Sequence, residues 1–253
     1  MVTRKPTLLL EIPPPSLMGY LIGSEEDMRG VDSFIKEVEA SCQFVDMLHI
    51  TEAMHNQPCL SSVGSLALLR HRVDINTSVL CSLKVEELNF DVILQKMGEA
   101  IALGSKHVLI EGDLQSSTKS TSLDQKTINP INILRELRQI GFKHHLINLG
   151  LQSYIDDAEK LREISQAKPD FIILRLRHYL DIPKSFSNLP QSEVPVFIRI
   201  PIPELTGLGL YSNKVIENIV ISIASLDQFQ GVIVASPHGF EEGLTVVKRL
   251  GDR

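Results

Sequence analysis

Short runs of apolar and β-branched residues recur along the whole chain, separated by longer segments that have a helical period. Most of these runs are continuously apolar rather than alternating, which is typical of strands buried on both faces of a parallel sheet. The sequence predicts eight such strands: Thr7–Ile12, Phe44–Thr51, Asn76–Ser82, His107–Glu111, His145–Leu149, Phe171–Leu176, Val194–Ile200 and Gly231–Ser236.

The segments between these strands predict amphipathic helices, because apolar residues recur there every three or four positions. One further segment, Tyr179–Ser187, contains Pro183 and predicts a short or irregular helix. The segments with a clear helical period are Met28–Ala40, Val85–Leu103, Ile131–Ile140, Tyr154–Ile164, Val215–Leu226 and Glu241–Leu250.

Eight strands with helix-length connections in about 250 residues predict a (β/α)8 TIM barrel, with residues 1–253 forming a single domain. A doubly wound sheet is the alternative, but it usually opens with a Gly-rich turn after its first strand. Here the first strand runs into Pro13, Pro14 and Pro15, which cannot open a phosphate-binding helix N-terminus. The sequence therefore favours the barrel.

Composition excludes several classes of function without naming a reaction. The formal net charge of −6 argues against binding to nucleic acid or to an anionic membrane by charge alone. The three cysteines form no CxxC pair, and no run reaches the ~18 apolar residues that span a bilayer. His49 and His55 do not have the spacing of a helical zinc motif. We therefore expect a cytoplasmic protein with no metal site, no membrane span and no nucleic-acid partner.

Candidate chemistry lies at the carboxyl ends of the strands, where TIM barrels place their active sites. Glu11 is the clearest candidate, because Leu10 and Ile12 flank it. Burial would raise the pKa of Glu11 and suit it to general-acid catalysis. The alternative is a structural glutamate paired with Arg175 or Arg199. The other polar strand-end residues are Thr51, Glu52, Cys81, Ser82, Glu111, Asp113, Asn148, Arg177, Ser236 and His238.

A second carboxylate follows the fourth predicted strand. Gly112 lets the backbone turn sharply, which would project Asp113 over the barrel mouth, whereas a turn or helix-capping aspartate is the alternative. The polar segment Leu114–Asn129 comes next and is either a surface loop or a lid. Arg175, Arg177 and Arg199 predict a positive side to the pocket that would bind an anionic group, with one of Arg175 and Arg177 binding it and the other structural. The alternative is that some of these arginines pair with Glu11, Glu52 or Glu111.

Several short motifs at the predicted strand ends occur in a fixed order along the chain, and the order is more specific than any single motif. The first strand ends in Glu11-Ile12-Pro13-Pro14-Pro15, and the second ends in Leu48-His49-Ile50-Thr51. Further motifs are Val79–Cys81 followed by Glu86–Leu88, the stretch Ala102–Asp113 and the stretch Gly231–Gly251. Taken together, and over nearly the whole chain, these motifs resemble the methylenetetrahydrofolate reductase family.

The resemblance implies an oxidoreductase of one-carbon metabolism, which would reduce a methylene-tetrahydropterin to the methyl form with hydride from FAD or another flavin or deazaflavin. It implies that Glu11 protonates the pterin and that Asp113 is a second catalytic carboxylate. It also implies a tetrahydrofolate-type ligand. The resemblance is compatible with either a homo-oligomer or a complex with a partner reductase subunit. The implied cofactor contacts are Thr51, Glu111, Gly112 and Asp113, and the implied substrate contacts are Arg175, Arg177 and Glu52.

One motif of that family is missing. In the family, a Tyr-Pro-Glu…His-Pro motif that holds the flavin follows the fifth strand, and Ile147–Tyr154 lacks it. The alternative is therefore a pterin-binding barrel without hydride chemistry, either a methyltransferase subunit or a non-catalytic partner of a reductase. A third hypothesis is an unrelated lyase or aldolase. Its Schiff-base form needs a strand-end lysine, and none of the predicted strand ends carries one.

Overall fold

The chain folds into a closed barrel of eight parallel strands, which confirms the predicted TIM barrel. Each strand pairs with the next along the chain, and β8 pairs with β1, so the sheet has no free edge. The strands are β1 (Thr7–Ile12), β2 (Met47–Ile50), β3 (Ser78–Lys84), β4 (His107–Glu111), β5 (Asn148–Tyr154), β6 (Phe171–Arg175), β7 (Val196–Pro201) and β8 (Gly231–Ala235). This computed structural model describes residues 6–17, 25–52, 58–86, 88–112, 129–142, 146–176, 193–202, 218, 221–223, 229–236 and 240–251.

Helices within the described ranges pack around the outside of the barrel. Four of them begin at side chains that accept a backbone N–H of the first helical turn, namely Ser61, Asn89, Asn129 and Asp157. Residues 218 and 221–223 are also helical, whereas the predicted helix Tyr179–Ser187 lies outside the described residues. The helices are α1 (Glu25–Ser41), α2 (Ser62–Arg72), α3 (Phe90–Ala102), α4 (Pro130–Gln139), α5 (Ala158–Ala167) and α6 (Phe240–Gly251).

Two strands extend two or more residues further toward their carboxyl ends than the sequence predicts. β3 reaches Lys84 and β5 reaches Tyr154, because both strands continue through polar residues that apolar runs cannot reveal. In β5, Gly150 leaves room for a neighbour: a Cβ there would lie 2.1 Å from the ring of Phe171. The same shift moves Asn148 from a predicted strand end to the start of β5.

Helix α2 was not among the predicted helices, and its buried face explains why. That face contains Ser62 and Ser65 beside Val63, Leu66 and Leu69, so serines interrupt the apolar period. Ser61 caps the helix by accepting the N–H of Gly64 at 3.0 Å. The buried serines matter below, because Ser62 lies beside the strand ends.

Successive residues of each strand face opposite sides of the sheet, so the buried residues form an outer layer and an inner layer. The inner layer becomes polar toward the carboxyl ends of the strands. One set of alternate residues packs against the helices, and the other points into the barrel. Toward the amino ends the interior is apolar: Leu9, Met47, Leu80, Leu109, Phe171, Ile173 and Ile233, with Phe197 against them. Two residues further along the strands, the interior positions become polar: Glu11, His49, Ser82, Glu111, Arg175 and Arg199.

Candidate active site

Five polar side chains form a continuous set of contacts inside the carboxyl end of the barrel. Each comes from a different strand, so the closed sheet holds all of them in register. We call this set the polar cluster; in order of contact it contains Arg199, Glu11, His49, Ser82 and Glu111.

Glu11 is the buried anion of the polar cluster. Its side chain is 4% exposed and accepts two hydrogen bonds from Arg199, from Nε to Oε2 and from a terminal guanidinium nitrogen to Oε1, each 2.5 Å. Nδ1 of His49 lies 3.4 Å from Oε2. Burial by itself raises the pKa of Glu11, but Arg199 and His49 outweigh it and hold that pKa at about 2.

The prediction that burial raises the pKa of Glu11 is therefore wrong, and the physical reason is Arg199. The alternative reading of a glutamate paired with a strand arginine describes the contact that the structure contains. In turn, although burial lowers the pKa of Arg199, the contact with Glu11 more than offsets it and raises that pKa. Glu11 is thus a fixed carboxylate at neutral pH.

Glu111 lies at the opposite end of the polar cluster, and its pKa shifts in the opposite direction to that of Glu11. His49 Nε2 lies 2.9 Å from the hydroxyl oxygen of Ser82, and that hydroxyl donates to Oε1 of Glu111 at 3.0 Å. Burial raises the pKa of Glu111, and the negative charge of Glu11 adds to this, against smaller opposing effects of His49, Ser82 and Arg175. The cluster thus holds one glutamate that stays ionised and one that takes up a proton readily.

Glu52 follows β2 and lies beside the polar cluster. The hydroxyl of Ser62 donates to the backbone oxygen of Ser82, and its oxygen lies 3.3 Å from Oε1 of Glu52. Burial raises the pKa of Glu52, partly offset by Lys96 and Ser62. The adjoining Thr51 is buried, and its hydroxyl oxygen has no hydrogen-bond partner among the described residues.

Arg175 supplies a second positive charge at this end of the barrel. Its guanidinium lies 5.2 Å above the ring of Tyr154, and it pairs in register with Arg199 of the next strand. Nε of Arg175 is buried and, within the described part of the chain, has no hydrogen-bond partner. An unpaired buried donor carries a desolvation cost that a bound anion would relieve.

Other predicted site residues lie outside this arrangement. A Cβ on Gly112 would lie 2.9 Å from Cγ of Pro130, so close packing explains the glycine. Asn148 contacts His107 at 3.3 Å near the amino end of the barrel. Cys81 is fully buried, and burial raises the pKa of its thiol to about 12, which makes it a poor nucleophile. Asp113, Arg177, His238 and residues 114–128 of the predicted loop lie outside the described residues.

Sequence reasoning missed His49 as a site residue and listed Ser82 without assigning it a role. A signal was available, because His49 is two residues after Met47 and so shares its inward face. Lys84 was missed as a strand end; it is half exposed and lies 3.3 Å from Glu86. Among the residues that the structure describes, no group of three or more His, Cys, Asp or Glu side chains could hold a metal ion.

The comparisons with known proteins identify a fold but no family. No protein-family model matches the chain, and no curated protein sequence matches it. Solved structures do match. A tryptophan synthase from M. tuberculosis is 12% identical with a TM-score of 0.54, over 99% of this chain and 92% of that one. Two mutant tryptophan synthase α-subunits from Pyrococcus furiosus are each 11% identical, with TM-scores of 0.59 and 0.57, and cover 97% and 96% of this chain and 95% and 96% of theirs.

These findings overturn the expected relationship to methylenetetrahydrofolate reductases. The matching structures belong to a different TIM-barrel family, and no family model supports the resemblance. The predicted reduction of a methylene-tetrahydropterin, the oxidoreductase assignment and the flavin cofactor are therefore wrong. The tetrahydrofolate-type ligand and the alternative of a pterin-binding barrel have no support from the matches either. Motifs that carried the resemblance have local causes, since Glu11 pairs with Arg199 and Gly112 packs against Pro130.

The comparisons leave the chain with a structural relationship alone. At 11–12% identity, the matches to tryptophan synthases show a shared barrel over nearly the whole length of both chains. Within the described residues, no helix is both long enough and apolar enough to cross a membrane.

Proposed function

We propose that this protein is a lyase-type enzyme in which Glu111 transfers a proton to or from a small anionic substrate at the carboxyl end of the barrel. The observation that carries the proposal is the pair of glutamates with opposite pKa shifts in one polar cluster. Two carboxyl groups whose environments separate their pKa values are the usual arrangement for acid–base catalysis. The raised pKa of Glu111 lets it take up a proton more readily than Glu11, whose carboxylate stays ionised.

In this proposal Glu11 is a positioning residue rather than the general acid. Its carboxylate is held by Arg199 on one side and lies 3.4 Å from Nδ1 of His49 on the other, so its negative charge would attract a proton on that nitrogen. Partial exposure of Glu111 at the last residue of β4 leaves it open to a substrate above the barrel. Asp113 and Arg177 follow β4 and β6 and stay predictions.

The substrate's anionic group would bind Arg175. The buried, unpaired Nε supports this assignment, and the ring of Tyr154 holds the guanidinium in place. A guanidinium binds a carboxylate or a phosphate with paired hydrogen bonds, so both anions are candidates. Thr51 and Glu52 would contact uncharged polar groups of the substrate, since the hydroxyl of Thr51 also has no partner among the described residues.

The fold shared with tryptophan synthases supports a lyase-type reaction over the hydride transfer that the sequence resemblance implied. The general acid–base reading needs no strand-end lysine. Lys84 is close to Glu86, which makes it a weaker candidate for Schiff-base chemistry than Glu111 is for proton transfer.

The test is proton NMR in deuterated water with four probes: pyruvate and malate as carboxylates, and dihydroxyacetone phosphate and glyceraldehyde phosphate as phosphate esters. The proposal expects deuterium exchange or bond cleavage with at least one class, reduced about 100-fold or more in Glu111→Gln. Glu37→Gln is the matched control, because burial also raises the pKa of Glu37 and it lies on helix α1. Inertness toward all four probes, or full activity of Glu111→Gln, would contradict the proposal.

Cellular location and assembly are part of the same proposal. The cysteines Cys42, Cys59 and Cys81 are free, which supports a reducing compartment such as the cytoplasm. A tryptophan synthase complex from Pyrococcus furiosus has a chain of this fold, which supports a partner subunit here. Sedimentation of the purified protein, alone and in its native extract, tests this: a monomer in both would contradict it.

A further inference from the structure

The middle of the polar cluster contains a hydroxyl that is hydrogen-bonded on both sides to groups that can carry a proton. Ser82 is fully buried, with His49 Nε2 at 2.9 Å and Glu111 Oε1 at 3.0 Å from its oxygen. A serine hydroxyl has a single proton to donate, so it can donate toward one neighbour at a time and must accept from the other. The direction of these two hydrogen bonds is therefore linked.

Two arrangements satisfy this geometry. In the first, Ser82 donates to an ionised Glu111 and accepts from Nε2–H of His49. In the second, a protonated Glu111 donates to Ser82, and Ser82 donates to the bare Nε2 of His49. In both, Nδ1 of His49 carries a proton toward Glu11, whose Oε2 lies 3.4 Å away. A bare Nδ1 would instead face the buried carboxylate with its lone pair.

The two arrangements contain the same number of protons. Passing from the second to the first breaks the O–H bond of Glu111 as its proton moves to the oxygen of Ser82. The original hydroxyl proton of Ser82 moves to Nε2 of His49 at the same time. Glu111 becomes a carboxylate, His49 becomes an imidazolium, and the net charge of the cluster is unchanged. The conversion therefore needs no proton from water.

We propose that Ser82 relays a proton between Glu111 and His49, so that His49 stores the proton while Glu111 is a base and returns it when Glu111 is an acid. The inference rests on the proposed function for its purpose, but the relay itself requires no substrate. Glu11 and Arg199 complete the device: Arg199 keeps Glu11 ionised, and the carboxylate of Glu11 is the fixed negative charge beside the imidazolium. His49 and Ser82 are positioning residues, because they act through Glu111.

Other groups at this end of the barrel also influence the equilibrium. Negative charge on Glu11 favours the imidazolium, whereas Glu52 disfavours an ionised Glu111. The positive charge of Arg175 favours the ionised form of Glu111. The charged or titratable groups of the polar cluster and beside it come from β1, the second residue after β2, β4, β5, β6 and β7. They are Glu11, Glu52, Glu111, Tyr154, Arg175 and Arg199.

The test follows the imidazole nitrogens of His49 by NMR of protein labelled with nitrogen-15 in histidine, as a function of pH. Assignment comes from His49→Gln. In the unaltered protein we expect a change in the Nε2 shift at the pH where Glu111 titrates, because interacting groups titrate together. Glu111→Gln abolishes that change. Ser82→Ala removes most of its amplitude, and Ser82→Thr, which keeps the hydroxyl, restores it.

Ser105→Ala is the matched control, because Ser105 is also a buried serine and donates to backbone oxygens away from the polar cluster. It should leave the Nε2 change intact. If Ser82→Ala leaves the change at full amplitude, or if the unaltered protein shows none, the relay does not exist. Because the measurement needs no substrate, a relay seen in a protein inert toward the NMR probes would refute the proposed function and not the relay.

Discussion

The barrel contains two inward-facing histidines near opposite ends, and their surroundings differ sharply. His107 lies toward the amino ends of the strands, against the edge of the Phe171 ring and the side-chain amide of Asn148. His49 lies toward the carboxyl ends, between Glu11 and Ser82. Burial, with a smaller contribution from Lys106, lowers the pKa of His107 and keeps it neutral. The same residue type thus fills space at one end and joins a network of charges at the other.

The difference shows that one repeating pattern, alternation along the strands, serves two purposes. At the amino end most inward positions are apolar, His107 and Asn148 being exceptions, and they contribute to stability by excluding water. At the carboxyl end the inward positions carry charges, and each must be paired or must bind a ligand to offset the loss of hydration. Changes at the two ends should therefore differ in kind, and the following predictions are ordered from the largest expected effect to the smallest.

Breaking the central ion pair should have the largest effect. Arg199→Met leaves Glu11 buried without its partner, and we expect the free energy of unfolding to fall by ~3–5 kcal/mol. Urea denaturation at neutral pH measures this. Arg138→Met is the control, because Arg138 pairs with Asp170 in a more exposed contact, and its loss should be smaller. Adding Glu11→Gln should restore part of the loss in the Arg199 variant; equal losses at both arginines would contradict this account.

Enlarging the space in the apolar part of the interior should destabilise without altering ionisation. Leu109 is fully buried inside the barrel, so Leu109→Ala should lower the free energy of unfolding by ~2–5 kcal/mol. Denaturation measures the loss, and carbon-13 NMR of labelled glutamates checks that Glu111 titrates as before. A changed titration of Glu111 would mean that the two ends of the barrel are not independent.

The fall in the free energy of unfolding at acidic pH should depend on Glu11. Its pKa is about 2 in the folded protein and near 4.5 when unfolded, so its stabilising contribution is present above pH 4.5 and is lost as pH falls toward 2. Glu11→Gln should flatten the fall in the free energy of unfolding across that range. Glu37→Gln, at a glutamate whose pKa is raised, should leave the slope intact. An equally steep fall in Glu11→Gln would show that Glu11 is not the group responsible.

The smallest effect should come from His107. Its pKa is lowered in the folded protein, so its contribution to stability is present above its unfolded pKa of 6.5 and declines as pH falls through its folded pKa. His107→Gln should remove that decline and leave the titration of Glu111 unchanged. Thermal unfolding between neutral pH and pH 5 is the measurement, and a shift in the titration of Glu111 would break the contrast between the two histidines.

The fold could be predicted because it depends on features that a sequence displays directly. The predicted strands Phe171–Leu176 and Gly231–Ser236, both continuous apolar runs, match β6 and β8 to within one residue at each end. Elements that bury polar residues were displaced or missed, as in β5, which contains Gly150 and Gln152, and in α2, whose buried face includes Ser62. Hydrophobic periodicity does not reveal a serine or glycine that is buried for its size or its hydrogen bonds.

The site could be predicted as a set of candidates but not as a working arrangement. Glu11, Glu111 and Arg199 stood out as charges ending apolar strands, and the structure joins all three through the polar cluster. The sign of the pKa shift at Glu11 was wrong, because it depends on an arginine 188 positions away. The family resemblance failed for a related reason: residues such as Gly112 satisfy local packing that any barrel of this shape can require.

The central claim is that one glutamate of the polar cluster stays ionised while the other takes up a proton readily. Carbon-13 NMR of the protein labelled at the glutamate carboxyl carbons, titrated from neutral pH to pH 2, tests this directly. Signals are assigned with Glu11→Gln and Glu111→Gln. The account predicts that Glu111 titrates above the ordinary glutamate value of 4.5, whereas Glu11 stays ionised until the pH approaches 2. Titration of both near 4.5, or of Glu11 above Glu111, would contradict it.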